Sequence, residues 1–161
     1  MLEEQRLDSS IHECTDFDCG TPELNVYLAR RATQDRRRNV TQVYVLVDTD
    51  EPGKILGYYT LSAAQVDSDQ LSDQERHRLP RYPVPCFRMG RFAVHRKLQE
   101  QALGKRLLGC AVDRCLQARQ EVAAYALIVD AKGTDAKSFY EYFGFVAFAD
   151  NPFSLYLAFG K

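Results

Sequence analysis

No apolar run in the chain approaches the ~18 residues that a membrane-spanning helix needs, and no membrane partner is expected. The opening MLEEQRLDSS is acidic and polar, without the basic and apolar regions of a secretory signal, so a cytoplasmic location is expected. The Walker pattern GxxxxGK[ST] is absent, and so are the three glycines of a dinucleotide fingerprint. The five cysteines (Cys14, Cys19, Cys86, Cys110 and Cys115) are odd in number and scattered. Without a secretion signal they read as reduced thiols, several of them in the core. Cys14, Cys19 and His12 lack a matching second pair of ligands, so no metal is expected. No internal repeat, linker or low-complexity tract appears, and no carboxylate or histidine stands out as a general base. His95 reads as a surface histidine.

What is present is an ordinary globular balance: 161 residues, 45% hydrophobic and 27% charged. One domain over residues 1–161 is expected, large enough to bury a core without staples. The net charge of -1 hides an asymmetry. Glu3, Glu4, Asp8, Glu13, Asp16, Asp18 and Glu23 face Arg6 alone. Arg30, Arg31, Arg36, Arg37 and Arg38 follow against Asp35, and Arg76, Arg78, Arg81, Arg88 and Arg91 form a second basic group. Local arginine clusters can bind a polyanion even when the whole chain is near neutral.

Thr21-Pro22-Glu23 reads as an N-cap, a first-turn proline and an acid. Leu24, Tyr27, Leu28 and Ala32 continue it as a helix to about Arg37. Val40–Val47 and Lys54–Leu61 alternate as a hairpin about the Asp48–Gly53 turn. A short helix is expected within Asp67–Arg78, and Pro80, Pro83 and Pro85 impose an extended loop. Cys86–Val94 reads as one strand, followed by a turn from Gln99 to Gly104 that opens a long helix striped with Leu103, Leu107, Leu108, Ala111, Cys115 and Leu116. Ala123–Val129 reads as a central strand covered on both faces. Thr134–Phe143 reads as a helix stopped at Gly144, and Phe145–Phe148 and Ser154–Phe159 as the last strands. The fold class is therefore α/β (α+β): a mixed, mostly antiparallel sheet of about six or seven strands with helices on both faces.

The strand–turn–helix from Arg88 to Leu116 carries the first chemical signal. A turn that exposes successive backbone N–H groups at a helix N-terminus is a natural seat for phosphate. Lys105 and Arg106 oppose the helix dipole there unless an anion sits nearby. The turn resembles the pyrophosphate motif of GNAT N-acetyltransferases, Q/R-x-x-G-x-G/A, aligned as Gln99-Glu100-Gln101-Ala102-Leu103-Gly104. Ser138-Phe139-Tyr140-Glu141-Tyr142-Phe143-Gly144-Phe145 resembles the family's later F-Y-x-x-x-G-F motif. Ala102 stands where glycine is usual and Glu100 replaces another frequent glycine; alanine is tolerated there if its φ is negative.

A closer resemblance, to the GNAT toxins of bacterial toxin–antitoxin pairs, extends over nearly the whole chain. It is carried by Phe17-Asp18-Cys19-Gly20, Leu24 with Tyr27-Leu28, and Ala32 with Gln34-Asp35. It continues in Gly57-Tyr58-Tyr59-Thr60-Leu61-Ser62-Ala63, Leu79-Pro80-Arg81-Tyr82-Pro83-Val84-Pro85, Gly90-Arg91-Phe92-Ala93-Val94, and the tail with Pro152 and Leu155-Tyr156-Leu157.

The resemblance implies a GNAT fold that uses acetyl-CoA to acetylate the α-amine of an aminoacyl-tRNA and so blocks translation. It implies a small ribbon–helix–helix antitoxin as partner, and a homodimer. Gln99, Glu100, Gln101, Ala102, Leu103, Gly104 and Lys105 would hold the coenzyme diphosphate. The backbone of Phe92, Ala93 and Val94 would align the pantetheine and thioester, with the Val94 N–H polarising the carbonyl. Tyr140 would give the departing thiolate its proton, a task open to a phenol once it is held beside the sulfur. Phe139, Phe143 and Phe145 read as core. Arg36, Arg37 and Arg38 suit RNA phosphates or a solvated helix end, and Arg88 and Arg91 suit the acceptor end or structural salt bridges. Two alternatives stay open: a GNAT enzyme for a small cationic amine, which would need an acidic pocket, and a non-catalytic GNAT-fold binding module.

Overall fold

β-Branched and aromatic residues, which suit a pleated surface, are concentrated in the two strands of the first hairpin. In a computed structural model, which describes residues 1–99 and 102–160, the chain forms eight strands and five α-helices among the described residues. Contacts divide it into two compact units, Met1–Ser62 with Gly90–Asp113 and Ala63–Met89 with Arg114–Lys161.

In the first unit, strand β1 (Leu2–Arg6) pairs antiparallel with β2 (Gln42–Asp48), matching Leu2 to Asp48 and Arg6 to Tyr44. β2 pairs antiparallel with β3 (Gly57–Val66), whose first half lies in this unit. β5 (Phe92–Val94) pairs antiparallel with β3 in the register Gly57–Val94. Side chains alternate across a strand, so Val43, Val45, Val47, Tyr58 and Ala93 share one face. They pack with Phe17 and with Leu24, Tyr27, Leu28 and Ala32, the last four from helices α1 (Pro22–Arg30) and α2 (Ala32–Arg37). The opposite face meets helix α4 (Leu103–Ala118): a β-carbon on Gly57 would lie 3.1 Å from Leu107 Cδ2 and 3.0 Å from the Ala93 carbonyl oxygen, so any side chain there would crowd both strand and helix.

The second unit is built on β4 (Val84–Met89), β6 (Ala126–Asp130), β8 (Ser154–Ala158) and β7 (Val146–Ala147). β4 runs parallel to β6, while β6–β8 and β8–β7 are antiparallel. Ala126, Leu127, Ile128 and Val129 are each at most 1% exposed, the double-sided burial expected from their unbroken apolar run. The core joins Ala126 and Ile128 to Val66, Leu71, Val84, Cys86, Phe148 and Tyr156. Helix α5 (Thr134–Tyr142) ends at Gly144, whose φ of 95° lets Phe145 N–H return to the Tyr140 carbonyl.

The structure departs from the sequence reading at several points. The acidic N-terminal segment forms β1, because pairing with β2 supplies its backbone with partners whatever its polarity. The first helix is interrupted at Arg31 (φ -122°) and continues as α2, which stops where Asn39 turns left-handed at φ 59°. Thr21 precedes α1 in extended conformation without a side-chain cap bond. The single strand read over Cys86–Val94 is two strands: after Gly90 the backbone of Arg91 bonds Thr60 of β3, so β5 pairs with β3 while β4 pairs with β6. The polar stretch Asp67–Arg78 holds a 3-10 turn (Ser68–Gln70) and helix α3 (Asp73–Arg76). With β1 and the divided strand, eight strands replace the expected six or seven.

Candidate active site

Antiparallel pairing decides which backbone groups β5 can offer. Thr60 N–H bonds the Arg91 carbonyl and His95 N–H bonds the Leu56 carbonyl. Hydrogen-bonded and non-hydrogen-bonded pairs alternate in such a ladder, so the amides of Phe92 and Val94 turn away from β3. A strand with amides turned outward can polarise an acyl carbonyl. The Val94 carbonyl accepts the Gln99 side-chain amide at 3.0 Å, and the same nitrogen reaches the Cys19 carbonyl at 2.9 Å. Gln99 thus ties the end of β5 to the turn before α1.

The expected diphosphate turn is described only in part: Glu100 and Gln101 lie outside the described residues. Ala102 has φ 61°, in the left-handed region, not the negative φ under which alanine would be tolerated without strain. A β-carbon there costs ~1–2 kcal/mol relative to a right-handed conformation. The turn keeps the backbone path that glycine would favour. Leu103 is buried in the core, Gly104 is half-buried and Lys105 is exposed in the first turn of α4. A cleft of about 260 Å³ beside this helix start is lined by Leu2, Asp48, Glu51, Lys54, Leu56, Leu98 and Leu103.

In the second unit Tyr140 lies on α5, 6% exposed, with its ring edge-on to Phe139 (5.5 Å) and tilted against Phe145 (5.3 Å). Phe145 is buried, and Phe139 and Phe143 are half-buried and in ring contact at 5.1 Å. Burial first, and the Asp130 carboxylate second, push the Tyr140 phenol well above its usual pKa of 10.0. Tyr140 therefore holds its proton at neutral pH, as a donor must. Asp130 also ion-pairs with Arg88 and accepts the Ser154 hydroxyl at 2.7 Å.

The basic residues divide sharply. Arg37 and Arg38 are exposed at the end of α2, while Arg36 is half-buried with its Nε enclosed and without a hydrogen-bond partner. Arg88 is held by Asp130, which matches the salt-bridge alternative for it. Arg91 lies over the Tyr27 ring, its guanidinium carbon 3.5 Å from the centroid. His95 is half-buried, edge-on to Phe17 at 5.9 Å, and burial lowers its pKa, with Lys54 adding to the shift. It borders a cleft of about 450 Å³ that also includes Glu13, Asp16, Phe17, Glu51 and Lys54. His12 is buried, taking the Asp8 N–H at Nδ1 (3.0 Å) and pairing with Gln5 through Nε2. Cys19, Cys86 and Cys115 are buried, and burial pushes Cys86 up to about 11 and Cys115 up to about 12. Among the described residues no helix is long and apolar enough to cross a membrane.

Sequence reasoning missed Asp130 and Ser154, and it named Tyr27 and Asp35 without foreseeing that they bond to each other. Asp130 immediately follows the apolar run read as ending at Val129, a weak signal that the strand carries a charge at its end. Tyr27 read as part of an apolar stripe and of the toxin resemblance, with no role of its own.

Comparison with known proteins bears directly on this arrangement. A family model described as an acetyltransferase (GNAT) domain matches residues 27–154. The tRNA-acetylating toxin of Mycobacterium tuberculosis is 32% identical over 149 residues, 92% of this chain and 87% of that protein. The solved structure of AtaT complexed with acetyl-methionyl-tRNAfMet matches with a TM-score of 0.91 at 27% identity, covering 98% of this chain and 95% of that one. A tyrosine-to-phenylalanine mutant of AtaT, bound to the C-terminus of the antitoxin AtaR and acetyl-CoA, matches with a TM-score of 0.83 at 25% identity, covering 98% and 92%. A domain match that begins within α1, reaches β8 and takes in both β5 and Tyr140 leaves one assignment: the chain belongs to the GNAT acetyltransferase family.

Proposed function

We propose that this protein is a toxin of a bacterial toxin–antitoxin pair that acetylates the α-amine of an aminoacyl-tRNA and so stops translation. The observation that carries the reading is the likeness to a tRNA-acetylating toxin over 92% of the chain. The family match through both compact units supports their acting as one acetyltransferase domain. The small antitoxin is of ribbon–helix–helix type, the toxin forms a homodimer, and the protein works in the cytoplasm.

Acetyl-CoA supplies the acyl group as an activated thioester. The N–H of Val94, turned away from β3, polarises the acyl carbonyl, and Phe92 and Ala93 align the chain that carries it. The turn from Gln99 through Gly104, with Lys105, holds the diphosphate at the start of α4. The neutral amine attacks directly. An ester-linked amino acid has an amine pKa at or below the ~7.7–8.0 of a free α-amine, so water suffices as base. Tyr140 delivers its proton to the departing sulfur. Arg36, Arg37 and Arg38 neutralise phosphates, and Arg91 serves the acceptor end, Arg88 being committed to Asp130.

One observation favours a second reading. The acids Glu13, Asp16 and Glu51 share the 450 Å³ cleft, and a small cationic amine would need an acidic pocket. Incubation with labelled acetyl-CoA separates the two. Label transferred to charged tRNA and not to spermidine is expected, and the reverse would sink the toxin reading.

A further inference from the structure

Arg91 is held differently from the other basic residues of its unit. Its backbone is clamped on both sides by Thr60, which donates its N–H to the Arg91 carbonyl and accepts the Arg91 N–H at Oγ1, each at 3.0 Å. Thr60 is 1% exposed, so the clamp is rigid. The side chain leaves the face of β3 that carries Tyr58 and crosses the ring of Tyr27 at 3.5 Å. That separation leaves room only for face-to-face stacking. The Tyr27 ring, 4% exposed, is fixed in turn, because its hydroxyl donates to Asp35 Oδ2 at 2.7 Å. Burial first, then the Asp35 bond, push the Tyr27 phenol up to about 12, so it remains a donor to that carboxylate. Asp35 sits on α2 directly before Arg36, with its own N–H on the Arg31 carbonyl and its carbonyl on the Val40 N–H.

The consequence is a pre-oriented cation. A guanidinium lying flat on a ring keeps its charge, loses one hydrated face and directs its N–H donors outward in its own plane. No ion pair engages Arg91 among the described residues, in contrast to Arg88 and Arg96. A planar fork with free donors fits a tetrahedral anion such as a backbone phosphate bidentately. We propose that Tyr27, anchored by Asp35, is a positioning residue that presents the Arg91 fork to a phosphate near the acceptor end of the RNA substrate. The inference rests on the aminoacyl-tRNA reading and adds to it the device that orients one contact.

The test measures binding of uncharged tRNA to the full-length protein over a series of salt concentrations, alongside KM for charged tRNA and for acetyl-CoA. Arg91→Gln should flatten the slope of log affinity against log salt by about 0.7–0.9, the loss of one phosphate contact. Tyr27→Leu should do the same with Arg91 intact, raising the KM for charged tRNA about tenfold while leaving that for acetyl-CoA unchanged. Tyr27→Phe keeps the ring and loses the Asp35 tie; it should weaken tRNA binding about twofold in the wild type and not at all beside Arg91→Gln. A wild-type salt slope in Tyr27→Leu overturns the proposal. If Tyr27→Leu fails to fold, an equal cost of Tyr27→Phe in both backgrounds overturns it instead. Wild-type protein that binds tRNA but acetylates only another amine defeats the functional reading alone, and the salt slopes still decide the role of Tyr27.

Discussion

Arg88 of β4 ion-pairs with Asp130 of β6, and Ser154 of β8 donates its hydroxyl to the other oxygen of the same carboxylate. Three strands thereby converge on one charge, and that charge is the second cause, after burial, of the raised pKa of Tyr140. Asp130→Asn should lower the Tyr140 pKa part of the way back, since burial remains. A proton donor works below its pKa, so activity at neutral pH should persist and the alkaline limb of kcat should move to lower pH. A pH–rate profile checks this, and an unmoved limb would remove Asp130 from the role. Stability follows the same sign. The folded phenol titrates above the unfolded value of 10.0, so its contribution is complete below that pH and is lost as pH climbs toward the folded value.

Tyr140→Phe should retain acetyl-CoA binding and fold, because the ring still fills its place against Phe139 and Phe145. Turnover should fall by about 10²-fold or more, the usual worth of a positioned acid. Calorimetry with acetyl-CoA and a single-turnover assay separate the two effects. Undiminished turnover would mean that solvent protonates the thiolate.

Ala102 offers a test of opposite direction. At φ 61° its β-carbon costs ~1–2 kcal/mol, whereas glycine there costs ~0.4–1 kcal/mol through a freer unfolded chain. Ala102→Gly should therefore raise stability by up to about 1.5 kcal/mol, or ~3–6 °C in Tm. Ala102→Val should lower it. Thermal unfolding decides, and a lower Tm for the glycine variant would contradict the left-handed turn.

Arg37 and Arg38 are exposed, so Arg37→Glu with Arg38→Glu should leave the unfolding transition in place. If they meet RNA phosphates, tRNA affinity should drop at low salt and the drop should shrink as salt rises. Equal affinity at all salt concentrations would assign them to a solvated helix end.

Much of this was legible in the residues. The apolar run of β6, the stripe of α4, the hairpin of β2 and β3 and the stop at Gly144 are periodic or local signals, and each recurs in the structure near its expected place. The break between β4 and β5 was not legible, because Cys86–Val94 carries no proline or turn cluster and Gly90 alone does not reveal that Arg91 will be claimed by Thr60. β1 was hidden for a related reason: an acidic segment becomes a strand only when β2 stands beside it.

What the sequence determined by itself is the chemistry available: a phenol in an aromatic helix, a turn opening a long helix, and clusters of arginine of opposite sign to the N-terminus. These depend on residue type and spacing, which short-range physics reads directly. Only the tertiary structure decided how that chemistry is tuned. It set Asp130 to act on Tyr140, laid Arg91 on Tyr27, turned the Val94 amide away from β3 and twisted Ala102 left-handed. Each of these arises from groups far apart in the chain or from a backbone angle, and neither can be read from a side chain's identity.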